Sequence, residues 1–268
     1  MTRARHRITA CSVVIIATLG LLTLRTTSAQ QAANAYTAFK ALFKPADIKS
    51  LFVDPTMPAA GPALRGPSLK FLPQDWQEKA ATYRDVAYEP VMTFPFDPDH
   101  DAYLVLTPSL LNGKNVNLLV FSSGGTLVSA EIIAGEYGDE GNYATTFGWI
   151  RDLNGDHQLD LLLREQQLAL HEDNSTQLYA ADKLNCKLWN GTSFKNAALP
   201  NKSQLKKETD EAVGNFRLDR IKLWASDPRT GKFAIKTYEI WLKTYPGNSH
   251  VTEIKKTVQQ LRQLKDQK

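Results

Sequence analysis

Between residues 86 and 198, apolar residues occur in short runs separated by polar turns that contain glycine. Runs of this length, rich in β-branched and aromatic residues, are typical of strands. The clearest runs are residues 102–106, 116–121 and 126–132. Asn190 and Gly191 lie between Leu188-Trp189 and Ser193-Phe194, and this dipeptide predicts a tight hairpin because glycine readily adopts a positive φ. The pattern therefore predicts an antiparallel meander of hairpins.

Residues 201–268 have apolar positions at helical spacing instead. Three stripes with steps of three and four residues predict three amphipathic helices, the last two separated by the Pro246-Gly247 turn. The segment carries 15 Lys and Arg residues against 8 acidic ones, whereas residues 30–200 carry 13 against 20. This contrast suits docking on the β region or on an acidic partner, although a basic helical face is more often simply solvated.

The stretch before the predicted sheet is mixed in character. An apolar stripe predicts a helix over residues 31–53 that restarts after Pro45. Residues 54–74 are rich in proline and glycine, which predicts a loop or linker. A short helix is predicted over residues 75–84.

Together these patterns predict an α+β protein with four segments. The centre is an antiparallel β-meander domain over residues 85–200. It follows a helical arm and Pro/Gly-rich linker over residues 30–84 and precedes a helical C-terminal segment over residues 201–268. Residues 1–29 have a different composition and are predicted to be a signal peptide.

The features of a secretory signal occur in order within the first 29 residues. Three arginines precede an apolar stretch over residues 8–24, and small residues end at Ala29, the predicted cleavage site. An uncleaved membrane anchor is the alternative. Cleavage predicts an exported protein, periplasmic or extracellular, with no membrane span. It also removes four arginines from a chain of formal net charge +4, so nothing in the overall charge predicts nucleic-acid binding.

Only one cysteine, Cys186, follows the predicted cleavage site. A lone cysteine cannot form an intramolecular disulfide bond, so the fold does not use that stabilisation. Its apolar neighbours predict a buried strand residue, and no catalytic partner residues are recognisable in the sequence.

The most informative stretch runs from Asp152 to Asp160. Carboxylate or amide oxygens stand at the first, third, fifth and ninth positions, and Gly155 permits a sharp turn. Alternating oxygens of this kind in a tight loop suit a hard cation such as Ca²⁺. The alternative is a polar turn in which Asp152 and Asp156 accept hydrogen bonds from backbone amides. Repulsion among three carboxylates with no basic residue in the loop favours the calcium site.

An EF-hand loop would have glycine at its sixth position and glutamate at its twelfth, where this chain has His157 and Leu163. The spacing and the strand-like flanks instead resemble the calcium hairpins of FG-GAP and VCBS-type β-propeller repeats. This resemblance covers one copy, over residues 147–163. It implies calcium ligands from the side chains of Asp152, Asn154, Asp156 and Asp160 and from the backbone carbonyl of Gln158. The chain has room for at most two blades, so the resemblance is to the repeat and not to a complete propeller.

A second acidic stretch, residues 97–101, also precedes a predicted strand. It matches the first three ligand positions but lacks glycine, and Val105 occupies the ninth position. The stretch is either a degenerate copy of the calcium loop or an ordinary acidic loop, and the missing features favour the ordinary loop.

No common catalytic motif occurs in the sequence, whether of hydrolases, zinc proteases, phosphate-binding loops or dinucleotide-binding folds. We therefore expect a calcium-stabilised, non-enzymatic binding or structural module of the cell envelope, whose partner is an unidentified protein or glycan. One alternative is a secreted hydrolase-type enzyme with structural calcium and a site around Glu136, residues 135–143 and His171. Another is a helical docking scaffold that acts through residues 201–268.

Overall fold

The structure is a computed structural model, and it describes residues 30–109, 113–139, 142–170, 177–199, 201–226 and 234–266. The predicted signal over residues 1–29 lies outside the described residues. Within them the chain forms a mixed ten-stranded sheet with helices before and after it, which confirms the predicted α+β class.

The N-terminal region contains helix α1 (residues 30–40), strands β1 (Lys44–Pro45) and β2 (Ser50–Val53), a 3₁₀ helix (Gly66–Phe71) and helix α2 (Gln74–Thr82). The central strands are β3 (Glu89–Asp97), β4 (His100–Pro108), β5 (Lys114–Ser122), β6 (Leu127–Asp139), β7 (Asn142–Arg151), β8 (Asp160–Leu170), β9 (Gln177–Trp189) and β10 (Phe194–Ala197). The C-terminal helices are α3 (Lys202–Ser226), α4 (Ala234–Thr244) and α5 (Val251–Asp266).

Strands β3 to β10 pair in sequence order as antiparallel neighbours, so the predicted meander is confirmed. The glycine turns lie where the sequence places them. Gly125 between β5 and β6 has a φ of 80°, and Gly191 between β9 and β10 has a φ of 88°. Both values lie in the left-handed region that glycine adopts without steric cost.

The sheet curves until its two ends meet. The ring of Phe96 on β3 lies 5.3 Å from that of Trp189 on β9 and 5.8 Å from that of Phe194 on β10. The enclosed face buries one apolar cluster to which every strand from β3 to β10 contributes. Cys186 is buried on β9, as predicted.

The predicted helix over residues 31–53 is wrong from residue 41 onward, because α1 ends at residue 40. Lys44 and Pro45 pair in parallel with β3, and residues 50–53 pair antiparallel with residues 148–151 of β7. The cause is tertiary. Strand β6 pairs with β7 only over residues 135–139, so the following part of β7 needs another partner. Strand β2 provides those hydrogen bonds and buries Val53 completely.

Helical regions cover two outer parts of the sheet. In the N-terminal cluster, Tyr36 and Phe39 of α1 pack on Tyr103 and Phe121, with ring centroids between 5.2 and 6.2 Å apart. The C-terminal helices pack on β7 and β8 and bury Trp241 completely. All three C-terminal helices lie where their apolar stripes predict.

Ion pairs connect the basic C-terminal segment to the sheet. The guanidinium of Arg164 on β8 is fully buried and donates to Asp182 at 2.6 and 2.8 Å and to Asp210 of α3 at 2.8 Å. Arg220 of α3 lies 2.7 Å from Glu136 of β6. The segment therefore docks on the β region, one of the two dockings that its charge suggested.

Candidate calcium-binding hairpin loop

The loop from residues 152 to 159 joins β7 to β8, whose terminal residues Arg151 and Asp160 are paired. Two loop residues have left-handed backbone conformations, Gly155 with a φ of 83° and His157 with a φ of 66°. Glycine adopts this conformation without steric cost, so Gly155 is expected there. His157 has a side chain and therefore carries a modest conformational cost. These two residues fold the loop tightly enough to bring its acidic side chains together.

Asp152 at the start of the loop accepts three backbone hydrogen bonds. Its Oδ1 accepts from the N–H groups of Asn154 at 3.2 Å and Gly155 at 2.6 Å, and its Oδ2 accepts from that of His157 at 2.9 Å. Desolvation opposes their effect, but these donors hold the pKa of Asp152 below its usual value. Asp152 is therefore ionised and fixed in position.

Asn154 and Asp156 face each other across the exposed tip of the loop. The Asn154 Nδ2 donates to Asp156 Oδ2 at 2.9 Å, and the Asp156 N–H donates to Asn154 Oδ1 at 3.1 Å. Asp156 Oδ1 also accepts from the N–H of Gln158 at 2.8 Å. The polar-turn alternative predicts hydrogen bonds of this kind. They do not exclude a metal ligand role, because each side-chain oxygen has two lone pairs and can accept a further interaction.

Asp160 is fully buried at the first position of β8. Its Oδ2 accepts from the Leu153 N–H at 3.0 Å, and its Oδ1 accepts from the Trp189 N–H at 2.8 Å. Burial raises the pKa of Asp160, the two N–H donors oppose the shift, and the negative charges of Asp156 and Asp152 raise it further. The carboxylate thus ties the loop to β9 but lacks a compensating positive charge among the described residues.

Asp152, Asp156 and Asp160 each place a carboxylate oxygen within 4.8 Å of the others. The structure therefore brings together three of the predicted ligands. Asn154 lies beside them through its bonds to Asp156, and Gln158 is next to Asp156 through its N–H. A hard cation prefers such a set of anionic and neutral oxygens, so the residues present suit Ca²⁺.

The second acidic stretch has a different arrangement. Asp97 accepts from His100 Nδ1 at 2.8 Å and from the Trp189 Nε1 at 2.8 Å, while Asp101 pairs with Lys40 at 2.7 Å. Burial acts to raise the pKa of Asp97, but hydrogen bonds from the Asp99 N–H, His100 and Trp189 lower it overall. Asp97 and Asp101 thus have separate protein partners, which supports the ordinary acidic loop.

Sequence reasoning missed Trp189 as the residue that links the two acidic stretches. Its indole N–H binds Asp97 and its backbone N–H binds Asp160. Nothing local to Trp189 indicates this role, since its acidic partners lie 92 and 29 positions away along the chain.

Of the residues in the enzyme alternative, Glu136 forms the ion pair with Arg220. His171 lies outside the described residues, as does part of the stretch 135–143.

Among the residues that the structure describes, no helix is both long and apolar enough to cross a membrane. No protein-family model, no curated protein and no solved structure matches the chain.

Proposed function

We propose that this chain is an exported, calcium-stabilised, non-enzymatic binding or structural module. Ca²⁺ would be held by the side chains of Asp152, Asn154, Asp156 and Asp160 and by the carbonyl of Gln158. The observation that carries the proposal is the convergence of three acidic oxygens around Asp160, a fully buried carboxyl whose pKa is raised.

A calcium ion would remove the electrostatic cost of this arrangement. Desolvation and two neighbouring carboxylates disfavour the charged form of Asp160, and a divalent cation favours it. Because Asp160 also binds the backbone of Leu153 and Trp189, the ion would hold the loop, β8 and β9 together. The ion would raise the free energy of unfolding by about 2.7 kcal/mol when the free Ca²⁺ concentration is 100 times the dissociation constant.

The arrangement of Glu136 supports a binding or structural function over the hydrolase alternative. Its carboxylate lies against α3 in an ion pair with Arg220, at 2.7 Å. The guanidinium occupies one of its oxygens, which leaves the carboxylate poorly placed to act as a general base.

Thermal melting in EGTA and in millimolar CaCl₂ tests the calcium proposal on the mature chain that begins after Ala29. We expect Ca²⁺ to raise the melting temperature and Asp156→Asn to abolish most of the rise, because a neutral amide replaces an anionic ligand. Asp99→Asn is the matched control. Asp99 is an exposed residue of the other acidic stretch, so its variant should respond like the unmodified chain.

An equal melting temperature in EGTA and CaCl₂ would reject the calcium site. An equal loss of response in Asp156→Asn and Asp99→Asn would show that calcium acts through general charge screening. The export part of the proposal is tested separately, by N-terminal sequencing of the protein recovered outside the producing cells. A mature N-terminus at Gln30 is expected, and retention of residues 1–29 would contradict it.

A further inference from the structure

A groove of about 1050 Å³ lies between the sheet and helix α2, apart from the calcium loop. Its floor contains one row of residues paired across five adjacent strands. The row consists of Thr107, Asn115, Gly135, Thr146 and Glu165. From Asn115 on β5 to Glu165 on β8 it spans about 14 Å, since neighbouring strands are 4.7–4.9 Å apart. The floor is long enough for an extended ligand of several ring units.

Aromatic side chains form the walls of the groove. Trp76 of α2 stacks on Tyr88 with ring centroids 5.2 Å apart and an angle of 14° between the planes. Tyr83 beyond α2 and Tyr137 on β6 also line the groove, although 57% and 63% of their surface is exposed. Exposed aromatic residues that border one groove indicate a surface that binds the flat apolar face of a ligand.

Amide groups supply the polar part of the floor. Asn117 is only 2% exposed, and its Nδ2 donates to Thr107 Oγ1 at 3.0 Å and to the Val105 carbonyl at 3.3 Å. Gln167 donates through Nε2 to Glu165 at 2.9 Å. No described residue donates to the carbonyl oxygen of either amide. These oxygens and the Glu165 carboxylate are therefore acceptors held in position for a ligand that carries several donors.

The charges of the groove indicate a neutral ligand. Asp75 and Lys79 are both in the lining and pair with each other at 3.7 Å, which leaves Glu165 as the remaining acid. No cluster of basic residues is present among the lining residues to attract an anion. A hydrophobic ligand is also disfavoured, because it would desolvate the amides without replacing their hydrogen bonds.

A peptide that adds to the sheet as an extra strand does not suit this site. Along the groove, β5 pairs with β4 and β6, and β7 pairs with β6 and β8. Their backbone groups are used within the sheet, and so recognition at these strands depends on side chains. Strand addition requires an exposed sheet edge.

We propose that this groove binds a neutral oligosaccharide. The C–H faces of its sugar rings would pack on Tyr137 and Tyr83, and its hydroxyl groups would donate to Asn117, Glu165 and Gln167. Sugars combine apolar ring faces with many hydroxyl donors, which matches aromatic walls above a floor of acceptors. The inference rests on the proposed binding function and specifies its ligand class, but it does not use the calcium site.

Isothermal titration of the mature chain tests the inference with cellohexaose, xylohexaose, maltohexaose and N-acetylated chitohexaose, each in CaCl₂. We expect saturable binding of at least one of them. Tyr137→Ala and Gln167→Ala should each weaken that binding at least about tenfold, which equals 1.4 kcal/mol. Tyr143→Ala is the matched control. Tyr143 is also an exposed tyrosine, at 42%, but alternation along β7 places it on the face opposite Ala144 and Thr146 of the groove.

Absence of saturable binding to all four saccharides overturns the proposal, as does binding that both groove variants retain in full. Binding of a neutral peptide library at the groove, with none of the saccharides bound, also overturns it. Circular dichroism melts of each variant show whether lost binding reflects unfolding. If Tyr137→Ala unfolds, Gln167→Ala decides the result.

The titration and the calcium melt distinguish the two proposals. A normal calcium response without saccharide binding rejects only the groove assignment. Saccharide binding in a chain whose melting temperature ignores calcium rejects only the calcium site.

Discussion

The two acidic hairpin loops of this protein have similar composition and different electrostatics. In the β3–β4 loop, Asp97 accepts hydrogen bonds from His100 and from the Trp189 side chain, and its pKa is lowered. In the β7–β8 loop, buried Asp160 lies beside two further carboxylates, and its pKa is raised. Both loops accept hydrogen bonds from protein donors, but only in the β7–β8 loop do three carboxylates lie within 4.8 Å of one another.

The difference shows that acidic residues in a turn can have opposite electrostatic environments in the same protein. What matters is whether nearby donors and cations already neutralise them. Trp189 connects the two loops. Its indole N–H donates to Asp97, and its backbone N–H donates to Asp160. Substitutions in the two loops can therefore be compared within one connected region.

The largest effect is expected from Asp160→Ala. It leaves the N–H groups of Leu153 and Trp189 without their acceptor, and a buried unsatisfied donor costs about 1–3 kcal/mol. The free energy of unfolding in urea should fall by about 2–4 kcal/mol, even in EGTA. A loss below about 1 kcal/mol would mean that water replaces the carboxylate easily.

A smaller loss of stability is expected from Asp97→Ala. It removes the acceptor of the Trp189 indole N–H and of His100, so the free energy of unfolding at neutral pH should fall by about 1–3 kcal/mol. The calcium-induced rise in melting temperature should be unchanged, in contrast to Asp156→Asn. A reduced rise would place Asp97 in the calcium site and remove the distinction between the loops.

As pH falls, the stabilising effect of calcium at Asp160 should be lost before the stabilising contribution of Asp97. The raised pKa of Asp160 means that its protonated form stabilises the fold at low pH, and that this stability is lost as pH rises through the folded-state pKa. Calcium requires the ionised form, so its stabilising effect should decline as pH falls through that pKa. The lowered pKa of Asp97 means that its contribution persists on acidification until the pH reaches its folded-state pKa.

Calorimetric melts of the unmodified chain and of Asp97→Ala, from pH 7 downward in EGTA and in CaCl₂, measure both effects. The calcium increment, about 2.7 kcal/mol at 100 times the dissociation constant, should vanish at a pH where Asp97 still contributes to stability. Calcium stabilisation that outlasts the Asp97 contribution would contradict the opposite pKa shifts of the two loops.

The smallest effect is expected from His157→Gly. The left-handed conformation of His157, with a φ of 66°, favours glycine, but glycine also gains entropy in the unfolded chain. The net change in the free energy of unfolding should be a gain of less than about 1 kcal/mol. Gly155→Ala is the opposite control, because its φ of 83° strains any side chain and should lower stability. A marked loss in His157→Gly would show that the imidazole itself supports the loop.

The oxygen spacing of the candidate calcium loop could be predicted from the sequence, because all its ligands lie within nine residues. The complete burial of Asp160 and its hydrogen bond from the Trp189 N–H could not, because Trp189 lies 29 residues away at the end of the next strand, β9. The groove was missed for a similar reason. Its aromatic residues come from α2, from the segment after it and from β6, and nothing in the sequence shows that these parts of the chain face each other.

The sequence by itself determined the meander of strands, the glycine turns and the three C-terminal helices, because alternation, turn chemistry and helical spacing act over a few neighbouring residues. Only the tertiary structure decided that residues 50–53 form a strand, since their partners on β7 lie about a hundred residues away. It also decided which of two similar acidic loops keeps uncompensated charge. That outcome depends on which donors the curved sheet brings to each carboxylate, and those donors come from distant positions in the chain.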